Sequence, residues 1–128
     1  MCGFLFVSDD KAVLEKLQKS MDSIVHRGPD ETTVLQKHGK WIFHRLSIMD
    51  LSHNGMQPLT LGESMVMCNG EIYNFRQHKK ELQKKYHFHS GSDCEVLLPM
   101  YKEMGLDFFK EYNFFLNGIK DMVLEPFC

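Results

Sequence analysis

Apolar residues follow two different rhythms along this chain. Gly3–Val7 is a short, continuous, Phe-rich apolar run, the pattern of a fully buried strand. Over residues 8–25 the rhythm becomes helical: Ser8, Asp9 and Asp10 offer cap-type side chains, and Val13, Leu14, Leu17, Met21, Ile24 and Val25 form one stripe against a core. His26-Arg27-Gly28-Pro29-Asp30-Glu31 breaks that helix, because Gly28 permits unusual dihedrals while Pro29 fixes φ and lacks a donor. Residues 32–36 and 41–47 then predict two strands, joined as a hairpin through the glycine-containing turn Lys37-His38-Gly39-Lys40.

A loop is expected over 50–58, followed by extended segments at 64–69 and 72–73 around Gly70, and by a charged surface helix over 77–85. Residues 95–104 have helical spacing with a Gly105 stop. Pro99 lies inside that helix, where a missing donor and a clash with the preceding turn cost about 3 kcal/mol and predict a kink. Residues 113–120 read as a strand, and 122–128 predict no element. Strand-rich segments flanked by helices indicate an α+β layered domain, although periodicity does not give the sheet order.

Composition narrows the class of protein. With 128 residues, 43% of them hydrophobic and 25% charged, the chain is sized for one globular domain. A net charge of −2 offers no broad basic field for nucleic acid, and the Lys79-Lys80 and Lys84-Lys85 pairs read as the solvated face of one helix. No apolar run approaches the roughly 20 residues that span a bilayer, and a secretory start is lacking, so the expected compartment is the cytoplasm. Cys2, Cys68, Cys94 and Cys128 form no CxxC pair and are expected to be free thiols. His87 and His89 alternate along a predicted strand and the other five histidines are scattered, so no metal site is expected.

Chemistry enters at the second residue. Removal of Met1 would leave Cys2 with a thiol and a free α-amine on the same residue, a nucleophile with its own base. A buried strand cysteine is the other reading. Asn69-Gly70 pairs a side-chain amide with a glycine N–H and suits an oxyanion hole, although an Asn-Gly turn ending a strand has the same sequence. Glu71 and Asp93 can accept hydrogen bonds from an ammonium, or Asp93 can cap the helix that follows it. Arg45, in an otherwise apolar strand, needs a partner: either a bound carboxylate or a structural salt bridge.

Several strings then occur in one family's order: Met1-Cys2-Gly3, His26-Arg27-Gly28-Pro29-Asp30, Arg45-Leu46-Ser47-Ile48-Met49-Asp50, Gln57-Pro58-Leu59, Asn69-Gly70-Glu71-Ile72-Tyr73-Asn74 and Ser90-Gly91-Ser92-Asp93-Cys94-Glu95. Over residues 1–105 the chain resembles the class II glutamine amidotransferase (glutaminase) domain of glutamine-hydrolysing asparagine synthetases. The resemblance implies an N-terminal-nucleophile αββα sandwich of two antiparallel sheets flanked by helices. It implies Cys2 as nucleophile, Asn69 and Gly70 as oxyanion donors, and Arg45 as holder of the glutamine α-carboxylate. Glu71 and Asp93 match groups around the substrate, Asp93 being nearest in role to an ammonium acceptor, and Ile48 falls where backbone lines the pocket. The loop at 26–30 is architectural in this reading. The implied reaction is hydrolysis of L-glutamine to glutamate and ammonia without cofactor. ATP and Mg would serve only a synthetase domain that consumes the ammonia, which this sequence does not include.

After Gly105 the match weakens in two alternative ways. Leu116-Asn117-Gly118 is the family's turn, or Asn113 is the turn residue and residues 114–121 are the strand, the alignment that keeps an apolar run. Both lead to the expectation of a domain over 1–121, incomplete at its C-terminal end, with a divergent tail over 122–128, unpaired strand edges and an uncovered apolar face. The competing functions are therefore an inactive glutamine-binding or interaction fragment, and an amidotransferase that feeds a different acceptor.

Overall fold

The computed structural model describes residues 2–9, 14–111, 114–116 and 122–125. Strand β1 is Gly3–Val7, and it pairs antiparallel with β3 (Lys40–Arg45), Phe4 opposite Phe43 and Phe6 opposite Trp41. On its other side β3 pairs with β2 (Glu31–Gln36), so the first sheet runs β1-β3-β2. Strand β3 ends at Arg45, two residues earlier than the pattern predicts. Residues Leu46 and Ser47 peel away to build the site described below.

The second sheet is β4 (Leu59–Leu61), β5 (Ser64–Cys68) and β8 (Met122–Glu125), with β5 central. Strand β4 lies beyond the reach of the pattern, since three residues give no periodicity. A two-stranded ladder joins β6 (Gly70–Ile72) to β7 (Phe114–Leu116). The tail read as without structure is thus corrected at Met122–Glu125, which pairs with β5 from Met65↔Glu125 to Cys68↔Met122, while β7 supplies the partner of β6. Residue 113, residues 117–121 and 126–128, and with them the choice of turn, lie outside the described residues.

Period-two alternation decides the layering. Trp41 and Phe43 of β3 meet Met65 and Met67 of β5 in one buried cluster, which Met56 and the half-buried Phe4 and Phe6 extend. The opposite face of β5, Val66 and Cys68, packs with Leu82 of α2 (Phe75–Leu82) and with Leu97, Leu98 and Met100 of α3 (Leu97–Met104). The opposite face of β3 carries His44 towards α1 (Leu14–Ile24), where Met21 and Asp22 bear on its ring. Helix, sheet, sheet and helices therefore stack in four layers, the αββα sandwich.

Local corrections have simple causes. Leu17, Met21 and Ile24 are half-buried as expected, whereas Val25 belongs to a 3-10 turn (Val25–Arg27) and is exposed. Val13 and the predicted cap at Asp10 lie outside the described residues. Pro99 falls in the first turn of α3, after a 3-10 turn (Asp93–Val96), where a missing N–H costs little, so the expected kink is replaced by a junction between two helix types. Lys79 is not simply solvated: its Nζ donates to the Ser90 carbonyl at 2.6 Å and lies 3.9 Å from Glu95. Among the described residues no helix is long and apolar enough to cross a membrane.

Candidate active site

A cavity of about 270 Å³ lies where the start of β1 meets the C-terminal ends of β3 and β5. Cys2, Arg45, Ile48, Asn69, Gly70, Glu71 and Asp93, all seven residues singled out from the sequence, line it. They come from four stretches spread over 92 sequence positions, as the distance from Cys2 to Asp93 requires.

Cys2 sits half-buried ahead of β1. The Leu46 N–H points at its Sγ at 3.3 Å, and the sulfur is 3.6 Å from the Leu46 carbonyl. From the loop at 26–30, Arg27 Nε donates to the Cys2 carbonyl at 3.2 Å and Asp30 Oδ2 accepts from Ser47 N–H at 2.8 Å. The loop can approach this closely because residue 28 is glycine: a Cβ there would collide with the His44 carbonyl. All three contacts fix backbone around the thiol, which is an architectural role.

Arg45 is buried and lines the cavity. Its Nη1 donates to the Ser52 carbonyl at 2.6 Å and lies 3.7 Å from Glu31 Oε2; its Nη2 donates to the Asp50 carbonyl. A side chain on Gly55 would place Cβ 2.5 Å from Nη2, so glycine there makes room for the guanidinium. The Asp50 carboxylate accepts from Ser52 N–H at 2.8 Å and from Gly91 N–H at 2.7 Å. The Ser52 side chain, those N–H groups and the nearby Arg45 charge hold its pKa below the ordinary 3.8.

Across the cavity the groups are set in the core. Asn69 and Asp93 are each 5% exposed, and Gly70 opens β6. The residue that caps the 3-10 turn is Ser92, whose Oγ accepts from Cys94 N–H at 3.3 Å. Asp93 is thereby left to reach across to β6, where its Oδ2 accepts from Ile72 N–H at 2.7 Å. Burial raises the Asp93 pKa, opposed by hydrogen bonds from Ile72, from its own N–H and from Cys94. Behind it, Cys68 and Cys94 are buried free thiols that also line the cavity; the contact with Cys68 and then burial push the Cys94 thiol well up. Gln57 fastens this wall, its side-chain amide donating to the Cys68 carbonyl at 3.1 Å and accepting from the Cys68 N–H at 2.7 Å. Among the described residues no three His, Cys, Asp or Glu side chains are grouped to hold a metal ion.

A sequence profile of the glutamine amidotransferase domain matches residues 1–119. The chain belongs to the glutamine amidotransferase domain family. It is 42% identical over 112 residues to the glutamine-hydrolysing asparagine synthetase 1 of Bacillus subtilis, covering 80% of this chain and 18% of that protein. To the glutamine-hydrolysing asparagine synthetase 1 of Arabidopsis thaliana it is 37% identical over 131 residues, covering 97% of this chain and 21% of that protein. It is also 38% identical over 111 residues to the amidase chry2 of Gibberella zeae, covering 78% and 16%. This amidotransferase domain therefore spans about a fifth or less of the length of these relatives.

Leu46, Asp50, Gln57, Cys68 and Cys94 also line the cavity, and the reading of the sequence assigned none of them a place there. All but Cys68 stand inside the strings that carried the resemblance, the one available signal, and Asp50 and Gln57 bear on the site through hydrogen bonds. What they contribute is a hydrogen bond to backbone, which residue type alone does not announce.

Proposed function

We propose that this domain hydrolyses the side-chain amide of L-glutamine, with Cys2 as nucleophile once Met1 is removed. One observation carries the reading: residues chosen for four distinct chemical tasks meet around a single cavity. Its volume of about 270 Å³ lies just under the roughly 300–1,000 Å³ of sites for drug-sized ligands, a size that suits an amino acid.

In the proposed mechanism the freed α-amine takes the thiol proton, and Cys2 Sγ adds to the amide carbon. The Asn69 side-chain amide and the Gly70 N–H receive the oxyanion, where fixed donors gain most because they need no reorganisation. The proton passes to the amide nitrogen, the C–N bond breaks, and ammonia leaves a thioester on Cys2. Water then adds to the thioester carbon, releasing glutamate and restoring the thiol. Arg45 holds the α-carboxylate, Asp93 with Glu71 receives the α-ammonium, and Ile48 lines the pocket. No metal or nucleotide takes part in these steps.

The ammonia acceptor is proposed to be a synthetase domain or subunit, which the similarity to asparagine synthetases supports. Similarity to the fungal amidase supports a second reading in which the same cysteine chemistry serves another acceptor. The free thiols Cys2, Cys68 and Cys94 support action in the cytoplasm. The test is glutamate release from L-glutamine by protein whose intact mass shows loss of Met1. Turnover should fall by at least about 10³-fold in Cys2→Ala. Turnover that survives the substitution would remove Cys2 from the mechanism.

A further inference from the structure

The groups assigned to the substrate's α-carboxylate and α-ammonium stand on different elements, Arg45 at the end of β3 and Asp93 in the 3-10 turn before α3, and one residue ties the two together. Asp50 contributes through its backbone and its side chain at once. Its carbonyl accepts from Arg45 Nη2, and its Oδ1 accepts from Ser52 N–H at 2.8 Å, holding the turn whose Ser52 carbonyl accepts from Arg45 Nη1 at 2.6 Å. Its Oδ2 crosses 41 residues of sequence to accept from Gly91 N–H at 2.7 Å, two positions before Asp93. The loop it reaches is braced on its own side: Ser90 Oγ donates to Glu95 Oε2 at 2.6 Å and accepts from Ser92 N–H at 3.1 Å, and Lys79 donates to the Ser90 carbonyl. Asp50 is therefore a clasp between a held guanidinium and a braced acidic loop.

We propose that Asp50 is a positioning and specificity residue that sets the separation of Arg45 from Asp93, selecting substrates that carry both an α-carboxylate and an α-ammonium. The inference rests on the glutamine reading above. A ligand held through both its α-carboxylate and its α-ammonium feels the spacing between the two anchors, whereas a ligand held through the carboxylate alone does not. Ionised Asp50 offers acceptors to both N–H groups, and the depressed pKa is consistent with that state at neutral pH. An asparagine in its place keeps one acceptor and turns an NH₂ towards the other donor, so one half of the clasp opens with no change of shape.

The experiment measures binding by calorimetry in a Cys2→Ala background, which separates recognition from turnover. Two ligands are compared: L-glutamine, and glutarate monoamide, which has the same amide and carboxylate but no α-ammonium. Adding Asp50→Asn should weaken L-glutamine roughly tenfold, the scale of one charge-assisted hydrogen bond, and glutarate monoamide much less, so the preference for glutamine shrinks. Gly91→Pro, which deletes the donor and leaves Asp50 intact, should shrink it in the same way and keeps the test open if Asp50→Asn does not fold. Equal weakening of both ligands, or an unchanged preference in both variants, overturns the clasp while leaving glutamine as the ligand. If the Cys2→Ala protein binds no L-glutamine, the substrate reading fails and the clasp with it.

Discussion

The two walls of the cavity are built by opposite means. One wall, from β5, β6 and the 3-10 turn before α3, is an extension of the core: Cys94 is 4% exposed, and behind it lie Val66, Val96, Leu97 and Phe108. The other is a loop, residues 46–55, that leaves Ile48 60% and Leu51 82% exposed and is held by hydrogen bonds from Arg45 and to Asp50 rather than by packing. Asn69 and Asp93 stand on the packed wall, where moving them would open voids. The other wall, held by hydrogen bonds, yields at lower cost than a core.

Substitutions can break that contrast. Phe108→Ala, removing a ring that is fully buried and stacked on Phe109 with centroids 4.2 Å apart, should cost about 3–5 kcal/mol of unfolding free energy in urea. Leu51→Ser on the loop wall should stay within about 0.5 kcal/mol. Equal losses would mean that the loop is packed after all. Next in size, Asp93→Asn removes the charged acceptor from the core wall and should raise the KM for L-glutamine roughly 10–100-fold with kcat changed much less. A fall in kcat at constant KM would move Asp93 from substrate binding to the chemical step.

Two pH dependences sharpen the same contrast. Because burial raises the Asp93 pKa above 3.8 and only the carboxylate accepts an ammonium, glutamine binding should weaken as pH falls through that raised value. The stability effect has the opposite sense: the contribution of a carboxyl with a raised folded pKa is present at low pH and lost as pH rises through it. Asp93→Asn should flatten both profiles. The smallest effect belongs to His44, on the far face of β3 from the core between the sheets. It is 3% exposed, with Nδ1 2.8 Å from Thr32 Oγ1. Burial lowers its pKa below 6.5 against the raising influence of Met21 and Asp22, so the neutral ring stabilises the fold above 6.5 and that stability declines as pH falls through the lowered value. A melting temperature equally flat from pH 7 to pH 5 in wild type and His44→Gln would rule the effect out.

Legibility in the sequence followed the reach of each signal. Strand β1, the β2–β3 hairpin and the Gly105 stop announce themselves over a few residues, through continuous or alternating apolar positions and turn glycines. Strand β4 and Met122–Glu125 did not, because each is short and its register comes from β5. The residues that line the cavity drew attention for a different reason: an Arg in an apolar strand, an Asn-Gly pair and a Cys at the second position are costly or reactive wherever they stand, so their types alone pose a chemical question. Asp50 poses none, being an acidic residue in a polar loop, until Gly91 is found 2.7 Å from its carboxylate.

What the sequence determined by itself was the set of reactive groups and the elements that carry them, since residue type and spacing act locally. Tertiary structure decided whether those groups meet. The stacking of Trp41 and Phe43 on Met65 and Met67 brings the ends of β3 and β5 together and the cavity with them. Capping by Ser92 leaves Asp93 to reach the Ile72 N–H, and the clasp at Asp50 links Arg45 to the loop that carries Asp93. These are contacts between residues far apart in the chain, selected by burial and by the need of every buried polar group for a partner, and neither condition exists before the layers pack.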